Sequence, residues 1–265
     1  MNKLFDKLAF TALIIFLAST ILPANTDPVQ ASSKSNENSY LQTQQILTKM
    51  NFAIDPQNKF SNIKSLFIVK KSDNGNNNVL AFDAPDNYLL KIINKDGVII
   101  SGIFISKGKI DKVANGEKVE LSDDDNFIPG MKFQMLIETL QFNKIYENLT
   151  LSNEIISIDG QSCFKITGVN KLNSKIKFTM YVDNKEFLLR KTEIDVGSSH
   201  TYTVYQDYTK FNGISLPKIT ESYNRILKDG KKVSVPVISY TIEKFEINET
   251  LPQGLFTFNY KDRPK

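Results

Sequence analysis

The feature that most constrains the fold is the alternation of apolar and polar residues over Lys175–Asp195. In the first half of this stretch every second side chain is apolar: Ile176, Phe178, Met180 and Val182. A period of two residues predicts a β-strand with one apolar face, and the turn residues that follow predict a strand running back. Asn212-Gly213 is a hairpin signal, because both central residues of a type I′ turn need a positive φ. With a further turn at Asp229-Gly230, Cys163–Ile247 is predicted to be an antiparallel meander of five strands.

The part of the chain before this meander adds helices and more strands. Tyr40–Ala53 has the spacing of a short amphipathic helix, with a common side formed by Leu47, Met50 and either Tyr40 or Ile46. Short strands follow between residues 65 and 121, and some of them are apolar on both faces, which indicates cover on both. Gly130–Asn148 has helical spacing and is predicted to supply that cover. The order helix, strands, helix, strands predicts one α+β domain, mostly of antiparallel β-structure.

The N-terminus has the pattern of an export signal. Lys3 and Lys7 precede an apolar run, Leu8–Leu22, and Val29-Gln30-Ala31 offers small residues for cleavage. The run has 15 residues, fewer than the ~20 of a spanning helix, so cleavage is favoured over an uncleaved membrane anchor. The chain is therefore predicted to comprise a signal peptide (1–31), a disordered leader (32–39) and a single domain without a transmembrane span (40–265).

Charge and cysteine content narrow the class of protein further. The formal net charge is +4, and the positive residues are lysines spread along the chain with only three arginines. This distribution gives no concentrated basic patch and predicts no nucleic-acid partner. Cys163 is the only cysteine, so an internal disulfide is excluded and the core must hold the exported chain together.

The residues that could carry catalysis are few. His200 is the only histidine, which excludes a multi-histidine metal site, and it lies in a predicted hairpin turn. Cys163 and His200 could form a nucleophilic pair, but Cys163 falls on a strand, where a structural role is the default. Asp123–Asp125 could bind a cation, although helix capping fits the run better than a calcium loop does. We therefore predict no enzyme activity, no cofactor, no metal and no catalytic residue.

The remaining candidate for a site is apolar. Eleven side chains of the predicted strands and helix are proposed to line a hydrophobic ligand cavity: Leu66, Ile68, Phe82, Leu90, Ile92, Met131, Met135, Phe164, Ile166, Phe178 and Met180. The same side chains could equally pack as a closed core. From alternation alone the closed core is the commoner outcome for apolar strand faces.

Several strings resemble the LolA/LolB-like family of lipoprotein carriers, also called outer-membrane lipoprotein-sorting proteins. They are FSNIKSLFIVKK (Phe60–Lys71), FDAPDNYLLKI (Phe82–Ile92), YVDNKEFLLRKTEI (Tyr181–Ile194), YQDYTKFNGISLPKITES (Tyr205–Ser222) and IEKFEINETLPQGLFTF (Ile242–Phe258). The resemblance spans nearly all of the mature chain. It implies a mostly antiparallel, about eleven-stranded half-barrel, a wrapped meander sheet whose concave face is covered by helices and holds acyl chains.

When this resemblance is taken into account, the eleven apolar side chains are equally expected to line a cavity or to form a closed core. It implies a soluble extracytoplasmic carrier or chaperone for acyl chains of lipids or lipoproteins, in the periplasm or secreted. The alternative is an envelope protein-binding or sensor module of the same fold with a packed interior, and a transient envelope protein is the second partner class expected. One departure concerns the early strands. Carriers of this family use an arginine there to close a lid, whereas this chain offers only Lys70 and Lys71.

Overall fold

The computed structural model describes residues 35–121, 127–228 and 230–259, with side chains from Ser39 onward. The chain divides into two compact units. Unit 1 takes its residues from Met1–Ala53, Gln141–Tyr205 and Glu221–Val237, and unit 2 from Ile54–Leu140, Gln206–Thr220 and Ile238–Lys265. The predicted signal peptide lies outside the described residues, and the single domain over 40–265 stays a prediction.

Among the described residues, three α-helices and one short 3₁₀ helix accompany the strands. The helices are α1 (Ser35–Ile54), α2 (Phe127–Glu138) and α3 (Phe142–Ile145), with the 3₁₀ turn at Lys59–Ser61. The strands are β1 (Ser65–Ser72), β2 (Asn77–Asp83), β3 (Asn87–Ile93), β4 (Ile99–Ser106), β5 (Lys109–Ala114), β6 (Glu117–Val119), β7 (Tyr146–Ile158), β8 (Gln161–Asn170), β9 (Ile176–Asp183), β10 (Leu189–Val196), β11 (Ser199–Phe211), β12 (Ile214–Lys228) and β13 (Lys231–Ile247).

The strands form one open sheet with β6 at one edge and β7 at the other. Its order is β6-β5-β4-β3-β2-β1-β13-β12-β11-β10-β9-β8-β7, so nearly every strand pairs with its neighbour in the chain. The predicted fold class, α+β with a mostly antiparallel meander, is confirmed. The sheet has thirteen strands rather than about eleven, and β8–β13 make six strands where the sequence predicted five.

Two predicted helices have different bounds in the structure. The helix predicted over Gly130–Asn148 ends at Glu138, because Leu140 has a left-handed φ of 56° and the chain continues as α3 and the edge strand β7. The first helix begins at Ser35, so residues 35–39 of the predicted leader are helical, while residues 32–34 lie outside the described residues. Ser39 anchors this first turn by donating to the carbonyl of Leu151 at 3.3 Å. The buried side of α1 uses Ile46 rather than Tyr40, which is 57% exposed.

Unit 2 is built on β1–β6, and the two faces of this part of the sheet have different covers. We call the first face the helix face, because α2 lies on it. The amine of Lys112 on β5 lies over the ring of Phe127 in α2, at 5.5 Å from the ring centre. The second is covered by the C-terminal segment, where Phe258 packs on Phe104 at 5.6 Å between ring centroids. The other buried members of that second cluster are Val79, Ala81, Leu89, Ile99 and Val113.

Unit 1 is built on β7–β10 with the adjoining parts of β11–β13. One side of α1 is buried at positions three or four residues apart: Thr43, Ile46, Leu47 and Met50. The hydroxyl of Thr43 accepts a hydrogen bond from the backbone N–H of Leu151 at 2.9 Å, which ties α1 to the edge strand β7. This contact satisfies part of the edge that β7 would otherwise leave open.

Candidate functional site

The eleven predicted cavity residues fall into two sets, one in each unit. Unit 2 holds seven of them: Leu66, Ile68, Phe82, Leu90, Ile92, Met131 and Met135. Unit 1 holds the other four: Phe164, Ile166, Phe178 and Met180. The two sets differ in how completely their side chains are packed, and each is described by itself.

The five strand residues of the unit 2 set share the helix face. In the register of β1 and β2, Leu66 pairs with Phe82 and Ile68 pairs with Leu80. In the register of β2 and β3, Leu80 pairs with Leu90. Ile92 follows Leu90 by two residues and therefore points to the same side. Leu66, Ile68 and Phe82 are buried, whereas Leu90 and Ile92 are only partly buried.

Helix α2 brings more apolar surface to this face than it buries. Its sequence, FIPGMKFQMLIE, has apolar residues on every side and no amphipathic stripe. A helix that is hydrophobic all round is normally buried, yet Met131 is its only buried residue. Six apolar side chains of α2 remain half-buried: Phe127, Ile128, Phe133, Met135, Leu136 and Ile137. An apolar ligand between α2 and the helix face would cover such side chains.

Two lysines of the strands hold the ends of α2. Lys70 of β1 forms an ion pair with Glu138, the last residue of α2, and the two side chains are 14% and 11% exposed. Lys112 meets Phe127, the first residue of α2, through a cation–π contact. The early strand β1 therefore contacts α2 through a lysine, Lys70, and not through an arginine.

Tyr240 of β13 lies beside the Lys70–Glu138 pair. The amine of Lys70 is 5.5 Å from the centre of its ring. Burial, followed by the negative charge of Glu138, raises the pKa of Tyr240 to about 12 despite a hydrogen bond from Asn78. This corner of the helix face is thus polar but poorly hydrated, at the end of an otherwise apolar surface.

The unit 1 set is packed against aromatic rings. Ile166, Phe178 and Met180 are at most 1% exposed. The ring of Phe178 is parallel to that of Tyr146 at 3.8 Å between centroids, and Phe142 of α3 stacks on it at 5.3 Å. Burial also raises the pKa of Tyr146 far above its usual value. These side chains have the packing of a closed core.

Phe164 is the exception within the unit 1 set. It is half-buried, and its ring lies 6.2 Å from that of Phe187. The amine of Lys49 on α1 approaches Phe187 from above at 4.8 Å. Phe164 therefore sits at the rim of the packed cluster.

The catalytic pair considered from the sequence is not assembled. Cys163 on β8 is fully buried, and burial followed by the charge of Asp183 raises the pKa of its thiol to about 11. His200 on β11 is held by a hydrogen bond to Asp195 of β10, and β9 and β10 lie between β8 and β11 in the sheet. Asp123–Asp125 lie outside the described residues. Within the described part of the chain no cluster of three or more potential metal ligands occurs.

Sequence reasoning missed a network of charged and aromatic side chains on unit 1. Lys191 lies over the rings of Tyr202 and Tyr181 at 4.5 and 5.5 Å and pairs with Glu193 at 2.6 Å. Burial alone would raise the pKa of Glu193, but the hydrogen bond and charge of Lys191 outweigh it and lower the pKa. Arg225 adds a contact over Tyr202 at 5.5 Å. Strand register, which pairs Glu193 with Tyr202, brings these side chains together, and the sequence alone gave no signal for it.

A polar cleft of about 430 Å³ lies elsewhere in unit 2. It is lined by the segment that follows β13, residues 248–254 and 256, together with Lys64, Ser65 and Asp83. None of the eleven predicted residues lines it.

The described part of the chain contains no helix with the length and apolarity needed to cross a membrane. No protein-family model matches the chain, and no curated protein matches it in sequence.

Solved structures do resemble it. A LolA superfamily protein from Nitrosomonas europaea is 16% identical over 81% of this chain and 97% of its own, with a TM-score of 0.48. A putative outer membrane lipoprotein-sorting protein domain from Vibrio parahaemolyticus is 12% identical over 86% of this chain and 100% of its own, with a TM-score of 0.47. A DUF1329 family protein from Desulfovibrio piger is 12% identical over 87% of this chain and 98% of its own, with a TM-score of 0.46. These similarities are partial and concern the fold alone.

Proposed function

We propose that this protein is an exported carrier that binds the acyl chains of lipids or lipoproteins between α2 and the helix face of unit 2. The observation that carries the proposal is the incomplete burial of α2, a helix with apolar residues on every side of which only Met131 is buried. The partly buried Leu90 and Ile92 on the opposing strand present matching apolar surface. The export pattern of residues 1–31 and the LolA-like sequence strings support the same function.

Acyl-chain binding of this kind needs no charged anchor. Burial of hydrocarbon gives ~0.8 kcal/mol per CH₂, so about ten methylenes contribute ~8 kcal/mol before the costs of ordering the chain. Transfer of the half-buried apolar side chains of α2 out of water would also contribute favourable free energy to binding. Met135 is one of them, and its unbranched, flexible side chain adapts well to ligands of variable shape.

Displacement of a fluorescent fatty acid tests the proposal. Leu90→Lys and Met135→Lys place a charge on the two apolar surfaces and should weaken binding at least tenfold, because the charge would have to be desolvated on binding. Ile155→Lys is the matched control, since Ile155 is 53% exposed and lies in unit 1. Thermal melting of each variant verifies folding. Unchanged affinity in the folded Leu90 and Met135 variants would refute the proposed site.

A second candidate is a protein-binding or sensor module with a packed interior. The parallel Tyr146–Phe178 stack and the fully buried Ile166 and Met180 favour it for unit 1. The two candidates separate in one experiment: a carrier binds the fluorescent fatty acid, whereas the packed module leaves it free and retains a protein partner after cross-linking in the envelope.

A further inference from the structure

One end of unit 1 exposes an unusual number of apolar side chains. We call it the basic end, and it comprises the loop 171–175 and the tips of β12 and β13 at 226–228 and 230–233. Leu172 is 64% exposed, Leu227 72% and Ile226 44%. Each is large and aliphatic, and burial of such a side chain would normally stabilise a fold by ~1.5–3 kcal/mol.

The topology places these segments at the same end of the sheet. In an antiparallel meander alternate connections lie at one end, so the β8–β9, β10–β11 and β12–β13 connections are together. The stacked rings of Tyr202 and Tyr223, at 4.9 Å, fix how β12 runs beside β11. Ile226 and Leu227 therefore lie level with the β10–β11 turn or beyond it.

The β12–β13 hairpin projects from unit 1. Residues 226–228 and 230–237 are exposed without interruption, which means that both faces of the hairpin are in contact with solvent. Val233, Val235 and Val237 alternate along β13 and form an uncovered apolar row, at 38%, 38% and 46% exposure.

Lysines surround the exposed apolar side chains. The segments 171–175 and 226–233 contain five lysines and one aspartate: Lys171, Lys175, Lys228, Lys231, Lys232 and Asp229. Of the acidic residues on the neighbouring strands, Glu193 is paired with Lys191 and Asp195 with His200, while Glu147 of β7, opposite Val169, is exposed. The sequence showed lysines spread evenly along the chain, but the fold collects these five at one end.

The loop 171–175 is held by hydrogen bonds from its own backbone and from Lys171. The side-chain carbonyl of the buried Asn170 accepts hydrogen bonds from the backbone N–H groups of Leu172 and Asn173, at 2.8 and 3.2 Å. The amine of Lys171 donates to the carbonyl of Asn143 on α3 at 3.1 Å. Leu172 is thus held in solvent by a defined loop.

We propose that the basic end docks on the surface of an anionic lipid bilayer. Leu172, Ile226 and Leu227 would enter the boundary between headgroups and acyl chains, and the lysines would contact the lipid phosphates. A projecting tip with apolar side chains beside flexible amines matches the layers of a bilayer interface. This surface is separate from the proposed acyl-chain site, which belongs to unit 2, so the two proposals can fail independently.

Co-sedimentation of the full chain with vesicles tests this docking. Vesicles of phosphatidylglycerol and phosphatidylcholine should bind the protein, and vesicles of phosphatidylcholine alone should bind it much less. Each lysine near an anionic surface contributes ~1 kcal/mol, so Lys231→Gln with Lys232→Gln should weaken partitioning by about tenfold or more. Leu227→Ser should weaken it by about three- to tenfold, because a partly inserted leucine is lost.

Matched controls come from the opposite end of unit 1. Ile155→Ser, near the β7–β8 turn, and Lys185→Gln, in the β9–β10 connection, should leave partitioning unchanged. Equal binding to both kinds of vesicle, or equal losses in test and control variants, would overturn the proposal. Self-association through the hairpin, detected by sedimentation and abolished by Leu227→Ser while vesicle binding persists, would overturn it as well. Leu90→Lys should bind vesicles normally, which separates this result from the acyl-chain site.

Discussion

The amine of Lys70 on β1 is paired with the carboxylate of Glu138, the residue at which α2 ends. Both side chains are largely withdrawn from solvent, at 14% and 11% exposure. Because α2 is apolar on all sides, its own sequence does not specify one orientation on the helix face. We infer that the ion pair at Glu138 and the Lys112–Phe127 contact at the other end set how α2 lies on the strands.

Removal of one partner of the Lys70–Glu138 pair should lower the free energy of unfolding substantially. Lys70→Met leaves Glu138 charged and poorly hydrated, and we expect a loss of about 3 kcal/mol in the free energy of unfolding. Urea denaturation measures it. Lys71→Met is the control, since Lys71 is exposed and should change stability by less than ~0.5 kcal/mol. The double variant Lys70→Met with Glu138→Leu should recover part of the loss. Equal effects of the two lysine substitutions would contradict this prediction.

The phenol of Tyr240 should lose its proton only at a pH above the range usual for tyrosine. Burial and the neighbouring Glu138 raise the pKa of Tyr240 to about 12 in the folded protein, against ~10 for an exposed tyrosine. Because the folded-state pKa is raised, the stability gained from neutral Tyr240 is fully present below pH ~10 and is lost as the pH rises towards 12. The difference in tyrosinate absorbance between the natural chain and Tyr240→Phe gives this pKa. A value near 10 would mean that the corner of the helix face is hydrated.

Cys163 should be nearly inert in the folded protein. Burial raises the pKa of its thiol from 9 to about 11, which lowers the thiolate fraction at pH 8 about a hundredfold. We expect reaction with a thiol reagent to be at least that much slower in buffer than in denaturant, where the same chain is exposed. A native rate similar to the denatured rate would show that β8 opens readily or that the thiol is accessible.

The two sets of predicted cavity residues should respond differently to truncation. Phe178→Ala removes a ring packed against both Tyr146 and Phe142, so a loss of about 3–5 kcal/mol in unfolding free energy is expected. Leu90→Ala removes a partly buried side chain and should cost less than ~2 kcal/mol. Chemical denaturation of both variants compares them. The reverse order would assign the open apolar surface to unit 1.

The parts of the fold that depend on local pattern could be predicted from the sequence. The alternation over Lys175–Asp195 predicted β9 and β10, and Asn212-Gly213 predicted the β11–β12 hairpin. Both predictions were possible because a strand face and a tight turn depend on residues close together in the sequence. The helix over Gly130–Asn148 was predicted too long. Helical spacing continues past Glu138, but the chain turns at Leu140 and Tyr146 is taken up by the edge strand β7.

The features that define the candidate site depend on contacts between distant residues. The strands around Leu66 and Leu90 were recognised from the sequence as apolar on both faces, but how the helix face is covered depends on where α2 lies. The Lys70–Glu138 pair joins residues from separate elements, and no local signal links them. The lysines of the basic end likewise come together only through the order of the strands.

Native mass spectrometry of the protein, purified from its own host without detergent, tests the carrier proposal most directly. We expect the mass of the mature polypeptide plus a discrete excess that organic extraction removes, and the excess should be missing from the folded Met135→Lys variant. A mass equal to the bare polypeptide, with no fatty acid taken up on addition, would contradict acyl-chain binding and leave the protein-binding module as the better account.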